Sequence, residues 1–201
     1  VRIHRINRFL HHVLAPFLRD GDLAVDGTVG NGHDALFLAR AIGEKGRLYG
    51  FDVQGEAVEK TRSRLLAAGI GEERFTLLQR SHEELDRYVP RGIGAAVYNL
   101  GYLPGGGRRL TTGRESSIGS IGKALELIRP EGVVSITLYY GHDGGREEAE
   151  GLLDYAAALD PARFKVLHLA YTNLPNDPPA ILLIQSSSRR AAGNDRGSRR
   201  G

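Results

Sequence analysis

Seven short apolar runs alternate with stretches of helical character, and this alternation constrains the fold more than any other feature of the chain. The runs occupy 23–26, 47–53, 75–79, 95–100, 133–139, 164–170 and 181–185. Helical patterns fall at 33–42, 55–68, 82–87, 114–128 and 145–158. An amphipathic helix over 2–18 precedes them, with Ile3, Ile6, Leu10, Val13, Leu14 and Phe17 at helical spacing and Pro16 placed to bend or end it. Runs that are apolar at nearly every position are buried on both faces. The expected fold is therefore α/β, a doubly wound, seven-stranded, mostly parallel sheet. The last two runs have no helix between them. They are joined by an Asn- and Pro-rich loop over 172–179, which predicts a hairpin and one antiparallel edge strand.

Composition bounds the function classes. The chain has 201 residues, 41% hydrophobic and 25% charged, which suits one domain over 1–187. Residues 188–201 are Arg-rich and of low complexity and are expected to be a disordered basic tail. There is no Cys, which excludes disulfides, thiolate nucleophiles and Cys-ligated metal centres, and no metal site is read from the sequence. No run of ~20 apolar residues is present to span a membrane. The first residues carry Arg without the apolar core of a signal peptide, so a cytoplasmic protein is expected. The net charge of +3 is unevenly spread. Arg2, Arg5, Arg8 and Arg19 crowd the first nineteen residues without an acid, and the tail holds five Arg against Asp195, so the body between is mildly acidic. Such a chain is not a uniformly basic coat for nucleic acid.

The most specific motif is Val25-Asp26-Gly27-Thr28-Val29-Gly30-Asn31-Gly32-His33-Asp34, between the first strand and the following helix. Gly30 and Gly32 allow a sharp turn and close approach of a ligand to the backbone. Asp26 and Asp34 would repel a phosphate but suit a ligand carrying an ammonium or sulfonium charge, which favours S-adenosylmethionine over a nicotinamide dinucleotide. Asp52, in Phe51-Asp52-Val53-Gln54, ends the second strand, where an acid accepts hydrogen bonds from ribose hydroxyls. It can equally cap the next helix. Ser81 and Glu84 have capping-box spacing, and the same loop places Ser81 and His82 beside an adenine held near Asp52.

The fourth strand ends in Asn99-Leu100-Gly101-Tyr102-Leu103-Pro104. Ligands of open parallel sheets bind beyond the carboxyl ends of the strands. There the Asn99 amide can accept a hydrogen bond from a substrate amine and align it for displacement, and Tyr102 can stack on a base or simply pack. His142, in Tyr140-Gly141-His142-Asp143, is a candidate proton acceptor or an ordinary loop histidine. Arg108, Arg109 and Arg114 can reach phosphates or lie in a solvated loop.

These segments together, Asp26–Asp34, Gly50–Gln54, Ser81-His82, Asn99–Gly106 and Tyr140–Gly145, resemble the small bacterial class I methyltransferases labelled rRNA methylases, a family that includes tRNA wobble-uridine methyltransferases. The likeness runs from about residue 2 to residue 186. It implies a Rossmann-like class I methyltransferase fold and S-adenosylmethionine as cofactor, with Asp26, Thr28, Gly30, Asn31, Gly32, His33, Asp34, Asp52, Gln54, Ser81, His82 and Asn99 at the cofactor. Asn99, Tyr102 and His142 would face the reaction. The implied activity is N-methylation of the 5-aminomethyl group of uridine 34 in tRNA, giving 5-methylaminomethyl-2-thiouridine, with the tRNA anticodon region as partner. A homodimer is compatible with the sequence. Ribosomal RNA or a small molecule is the alternative acceptor. A nicotinamide-dependent oxidoreductase is the competing class, disfavoured by the Asp26/Asp34 pair and the terminal hairpin. Two positions depart from the expected pattern: Thr28, where many class I enzymes carry Gly, and Gly27, where Ala is expected.

Overall fold

A computed structural model describes residues 6–100, 113–141 and 144–188. The chain starts with α1 (Ile6–Leu14), whose Leu10 and Leu14 are buried; a 3₁₀ turn over Ala15–Phe17 with Pro16 in its first turn ends it. Then follow β1 (Leu23–Asp26), α2 (His33–Ala41), β2 (Arg47–Asp52), α3 (Gly55–Ala67), β3 (Phe75–Gln79), α4 (Leu85–Tyr88), β4 (Ile93–Leu100), α5 (Arg114–Leu127), β5 (Ile128–Leu138), α6 (Gly145–Ala157), β6 (Phe164–Leu169) and β7 (Ala180–Ser186). The expected alternation is present at every position. The expected helix over 82–87 is instead a 3₁₀ turn at His82–Glu84 followed by the single turn of α4.

The seven strands form one sheet in the order β3-β2-β1-β4-β5-β7-β6. β3, β2, β1, β4 and β5 are mutually parallel, and β7 runs antiparallel to both β5 and β6. The hairpin is therefore as expected, but the antiparallel strand is not at the edge: β7 inserts between β5 and β6, and β6 takes the edge. β7 reads Ala-Ile-Leu-Leu-Ile, apolar on both faces as an inner strand must be, while β6 exposes Val166 and Leu167.

Successive side chains alternate between the two faces of a strand, and the sheet builds two cores accordingly. One face, with Ala24, Leu48, Val97, Val133, Ile181 and Leu183, packs under α1, α2 and α3. The other, with Val25, Phe51, Tyr98, Ile136, Leu182 and Ile184, packs under α4, α5 and α6. The chain order reverses between β1 and β4. This leaves a crevice at their carboxyl ends, where α2 begins.

Candidate active site

Parallel register brings Asp26 level with Gly50 and Val97, so Asp26, Asp52 and Asn99 collect at one end of three adjacent strands. The loop between Asp26 and α2 crosses them. Gly30 and Gly32 hold φ of +46° and +74°, conformations that L side chains rarely adopt, and a β-carbon on Gly32 would stand 2.8 Å from Thr61 Oγ1. Thr61 in turn donates to the Gly30 carbonyl at 3.3 Å. The Asp52 carboxylate ties the loop to β2: Oδ2 accepts from Gly30 N–H and Oδ1 from Gln54 N–H, both at 3.0 Å. Asp52 thus braces the loop, and Gln54 rather than Asp52 occupies the cap position of α3.

The other two acids differ sharply. Asp26 is completely buried. Its Oδ1 accepts from Thr28 N–H at 3.1 Å, and Oδ2 has no partner among the described residues. Burial, aided by the Asp34 carboxylate, pushes the Asp26 carboxyl well above the usual range. Asp34 sits in the first turn of α2, where the helix dipole favours an acid. Both its oxygens are engaged: Oδ1 with His11 Nε2 at 2.5 Å and Oδ2 with Asn99 Nδ2 at 2.6 Å. Asn99 also donates its backbone N–H to Thr28 Oγ1 at 2.7 Å. The bulkier residue at 28 is explained by that bond, which a Gly there would forfeit. Asn99 Oδ1 is buried without a partner among the described residues, as is the hydroxyl of Thr137, its neighbour across the β4–β5 ladder.

Gly27 has an equally local cause. A β-carbon there would lie 2.3 Å from Cε1 of Tyr98, whose ring fills the space beneath the loop. Tyr98 is fully buried, with its hydroxyl 3.2 Å from Ser120 Oγ, and burial raises its pKa strongly. His82 lies edge-on to that ring with centroids 5.8 Å apart. It is buried, its Nδ1 has no partner among the described residues, and burial lowers its pKa. Ser81 caps the 3₁₀ turn as expected, but through Glu83 N–H at 3.2 Å; Glu84 pairs with Arg87, so the capping box with Glu84 does not form. Asn31 on the loop and His33, the first residue of α2, are exposed, and the Asn31 carbonyl accepts from Arg64 Nε at 2.7 Å. Tyr102 and His142 lie outside the described residues.

The structure thus brings together Asp26, Thr28, Gly30, Gly32, Asp34, Asp52 and Asn99. It places His82 in the core beside Tyr98. Sequence reasoning passed over His11, Thr61, Tyr98 and Thr137. His11 lies on the polar side of an amphipathic helix far away in sequence, and only its helix phase, one step from Leu10, signals that it can face the sheet.

Three acids surround one glycine loop, and the most buried of them has an oxygen unpartnered among the described residues. Two glycines of the loop border them, and the Asn99 amide oxygen is buried with no donor among the described residues. This donor set fits a cationic ligand with a ribose and a sulfonium, and S-adenosylmethionine has all of these.

Comparisons with known proteins agree. The family described as "Putative rRNA methylase" matches residues 48–185. A Clostridium thermocellum structure of the same description is 36% identical, covering 89% of this chain and 96% of its own, with a TM-score of 0.85. SMU.1697c from Streptococcus mutans, in complex with SAH, is 32% identical over 90% of this chain and 98% of its own, with a TM-score of 0.81. The chloroplastic tRNA (mnm(5)s(2)U34)-methyltransferase of Arabidopsis thaliana is 29% identical over 185 residues, which is 87% of this chain and 67% of that one. The chain belongs to this rRNA methylase family of class I, S-adenosylmethionine-dependent RNA methyltransferases.

Proposed function

We propose that the chain methylates the 5-aminomethyl group of uridine 34 in tRNA, giving 5-methylaminomethyl-2-thiouridine, and that the anticodon region is what it holds. The observation that carries the choice of acceptor is the likeness to the Arabidopsis tRNA (mnm(5)s(2)U34)-methyltransferase along 87% of the chain. Asn99 supports an amine as acceptor. Its Nδ2 is committed to Asp34, and its Oδ1, unpartnered among the described residues, can only accept, which suits the N–H groups of a primary amine.

When bound, S-adenosylmethionine supplies an electrophilic methyl group. The chain's own residues do the rest. Asp52, held by Gly30 and Gln54, retains lone pairs on both oxygens for ribose hydroxyls. Asp26, completely buried at the end of β1 with one oxygen unpartnered among the described residues, leaves an acceptor beside the loop. Asn99 holds the amine by one N–H, which leaves the nitrogen lone pair free to point along the line of displacement. The amine reacts as the neutral form, and the proton it sheds after alkylation leaves to solvent.

The test is transfer itself. Protein and S-adenosylmethionine are incubated with tRNA from cells lacking the final wobble methylation, and the digested nucleosides are identified by mass spectrometry. Conversion of the aminomethyl nucleoside to its methylaminomethyl form is expected. No conversion by protein that still binds S-adenosylmethionine in calorimetry would reject this acceptor and direct the search to ribosomal RNA.

A further inference from the structure

We propose that His11 is a positioning residue for methyl transfer: through Asp34 it fixes the Asn99 amide so that Oδ1 stays free to accept from the incoming amine. The inference rests on the methyl-transfer reading of this site but not on which RNA is the acceptor.

Three elements far apart in sequence meet in this chain of contacts. His11 comes from α1, Asp34 from the first turn of α2 and Asn99 from the end of β4. His11 Nε2 lies 2.5 Å from Asp34 Oδ1, and Asn99 Nδ2 lies 2.6 Å from Asp34 Oδ2. Both are short, as bonds to a charged acceptor are. The imidazole is itself held, stacked on Phe37 at 4.1 Å between centroids and 5° between planes. An Asn side chain alone can present either end of its amide. Here a flip would set Oδ1 against a carboxylate oxygen, so Asp34 selects one orientation and leaves the carbonyl end for substrate. Asp34 can do this only while its own rotamer is fixed. With Oδ1 released, the carboxylate can turn about its last torsion and carry Asn99 with it.

The arrangement exceeds what joining α1 to α2 requires. A bridge serving only to join the helices has no need of Asn99, yet Asp34 spends its second oxygen on that amide and leaves Oδ1, buried and unpartnered among the described residues, at the carboxyl edge of the sheet. Nor is His11 the group that meets the amine. The nitrogen turned toward the site is occupied by Asp34, and the Asn99 amide lies beyond that.

Two variants separate positioning from proton transfer and from bulk packing. His11→Phe keeps a ring to stack on Phe37 and removes the donor. His11→Gln keeps an N–H donor at similar reach and removes the titratable ring. For His11→Phe we expect kcat on aminomethyl tRNA to fall by about ten- to a hundredfold, with little change in KM for S-adenosylmethionine. His11→Gln should recover most of that loss, with a pH–rate profile that overlays the wild type.

An independent readout needs no acceptor. The side-chain amide signals of Asn99 in ¹H–¹⁵N spectra, assigned by their loss in Asn99→Ala, should show one proton shifted downfield and slow to exchange. That signature should persist in His11→Gln and vanish in His11→Phe. Wild-type kcat with an unchanged Asn99 signal in His11→Phe would overturn the proposal. So would a His11→Gln variant as impaired as His11→Phe and missing one limb of the pH profile, since His11 would then be moving a proton. If circular dichroism shows His11→Phe unfolded, the wild-type and His11→Gln spectra decide, and an ordinary, fast-exchanging Asn99 amide in either rejects the proposal. Failure of the acceptor reading looks different: the wild type itself does not turn over tRNA, while the amide signals still report on His11.

Discussion

Asp26 and Gly27 are adjacent, and each is constrained by one neighbour. Asp26 is a buried carboxyl beside Asp34 with its folded pKa raised, so the folded chain binds a proton more readily than the unfolded one. Its contribution to stability is greatest below the unfolded carboxylate range and is lost as pH rises through the folded pKa. Above the unfolded carboxylate range this buried carboxyl is therefore a cost to folding, which a cationic ligand offsets. Asp26→Asn should therefore raise the melting temperature of the ligand-free protein at pH 7.5, on the order of 1 kcal/mol or ~2–4 °C. It should weaken S-adenosylmethionine binding in calorimetry at the same time. A variant that is both less stable and equally tight would contradict this account. Gly27→Ala should destabilise by about 2–3 kcal/mol in urea unfolding, because the Tyr98 ring is packed on every side and cannot retreat from a new β-carbon. The sequence shows that Gly stands at 27, but the reason lies 71 positions away and is visible only once β1 and β4 are neighbours.

Elements with an unbroken pattern were legible, and those whose ends depend on tertiary partners were not. β1, β3 and the start of α2 fall where the apolar runs and glycines put them, because burial on both faces leaves the same signature in any parallel sheet. β5 was legible only from Val133. The structure begins it at Ile128, paired with Ile93, and loops out before pairing resumes at Val133 with Ala95. Glu131 there holds φ of +63°, and the polar residues of the excursion hide the strand from any periodicity. Arg129 is what the excursion presents: Nε and Nη2 grip the two oxygens of Asp22 at 3.0 and 2.8 Å, and Nη2 also reaches the Phe17 carbonyl at 2.8 Å. Both partners are mostly shielded from water, and the fork fastens the connection between α1 and β1 to β5. Asp22→Ala should cost about 2–4 kcal/mol in urea unfolding, well beyond what an exposed ion pair such as Arg19 with Glu131 contributes. Ser81 shows the same limit on a smaller scale. Its capping role was plain, yet the choice of Glu83 N–H over a box with Glu84 follows from a 3₁₀ turn that residue identity does not specify.

At the scale of the molecule the doubly wound sheet was legible and the place of its last strand was not, since a hairpin can be appended in either order. The candidate site divides the same way. Asp26, Asp52 and Asn99 announce themselves as polar residues ending apolar strands, whereas His11 reaches the site only because α1 folds back over the sheet. Molecular stability should carry the mark of His82, buried with its pKa lowered. The unfolded chain takes up that proton first, so stability is full above about pH 6.5 and declines as pH falls from there toward the folded pKa. The melting temperature of the wild type minus that of His82→Gln, followed from pH 7.5 to 5, should fall as this contribution is lost. Among the described residues no helix is long and apolar enough to cross a membrane. β7 supplies Ile181 and Leu183 to one core and Leu182 and Ile184 to the other. A chain emerging from a ribosome can wind β1 to β5 with their helices, but β5 keeps a raw edge and β6 has nothing to pair with until β7 is made and slides between them. Assembly of this enzyme thus waits on residues 180–186. A stall in translation just before them would leave a nearly complete sheet exposing its stickiest edge, and the cell's chaperones would meet that intermediate rather than a random coil.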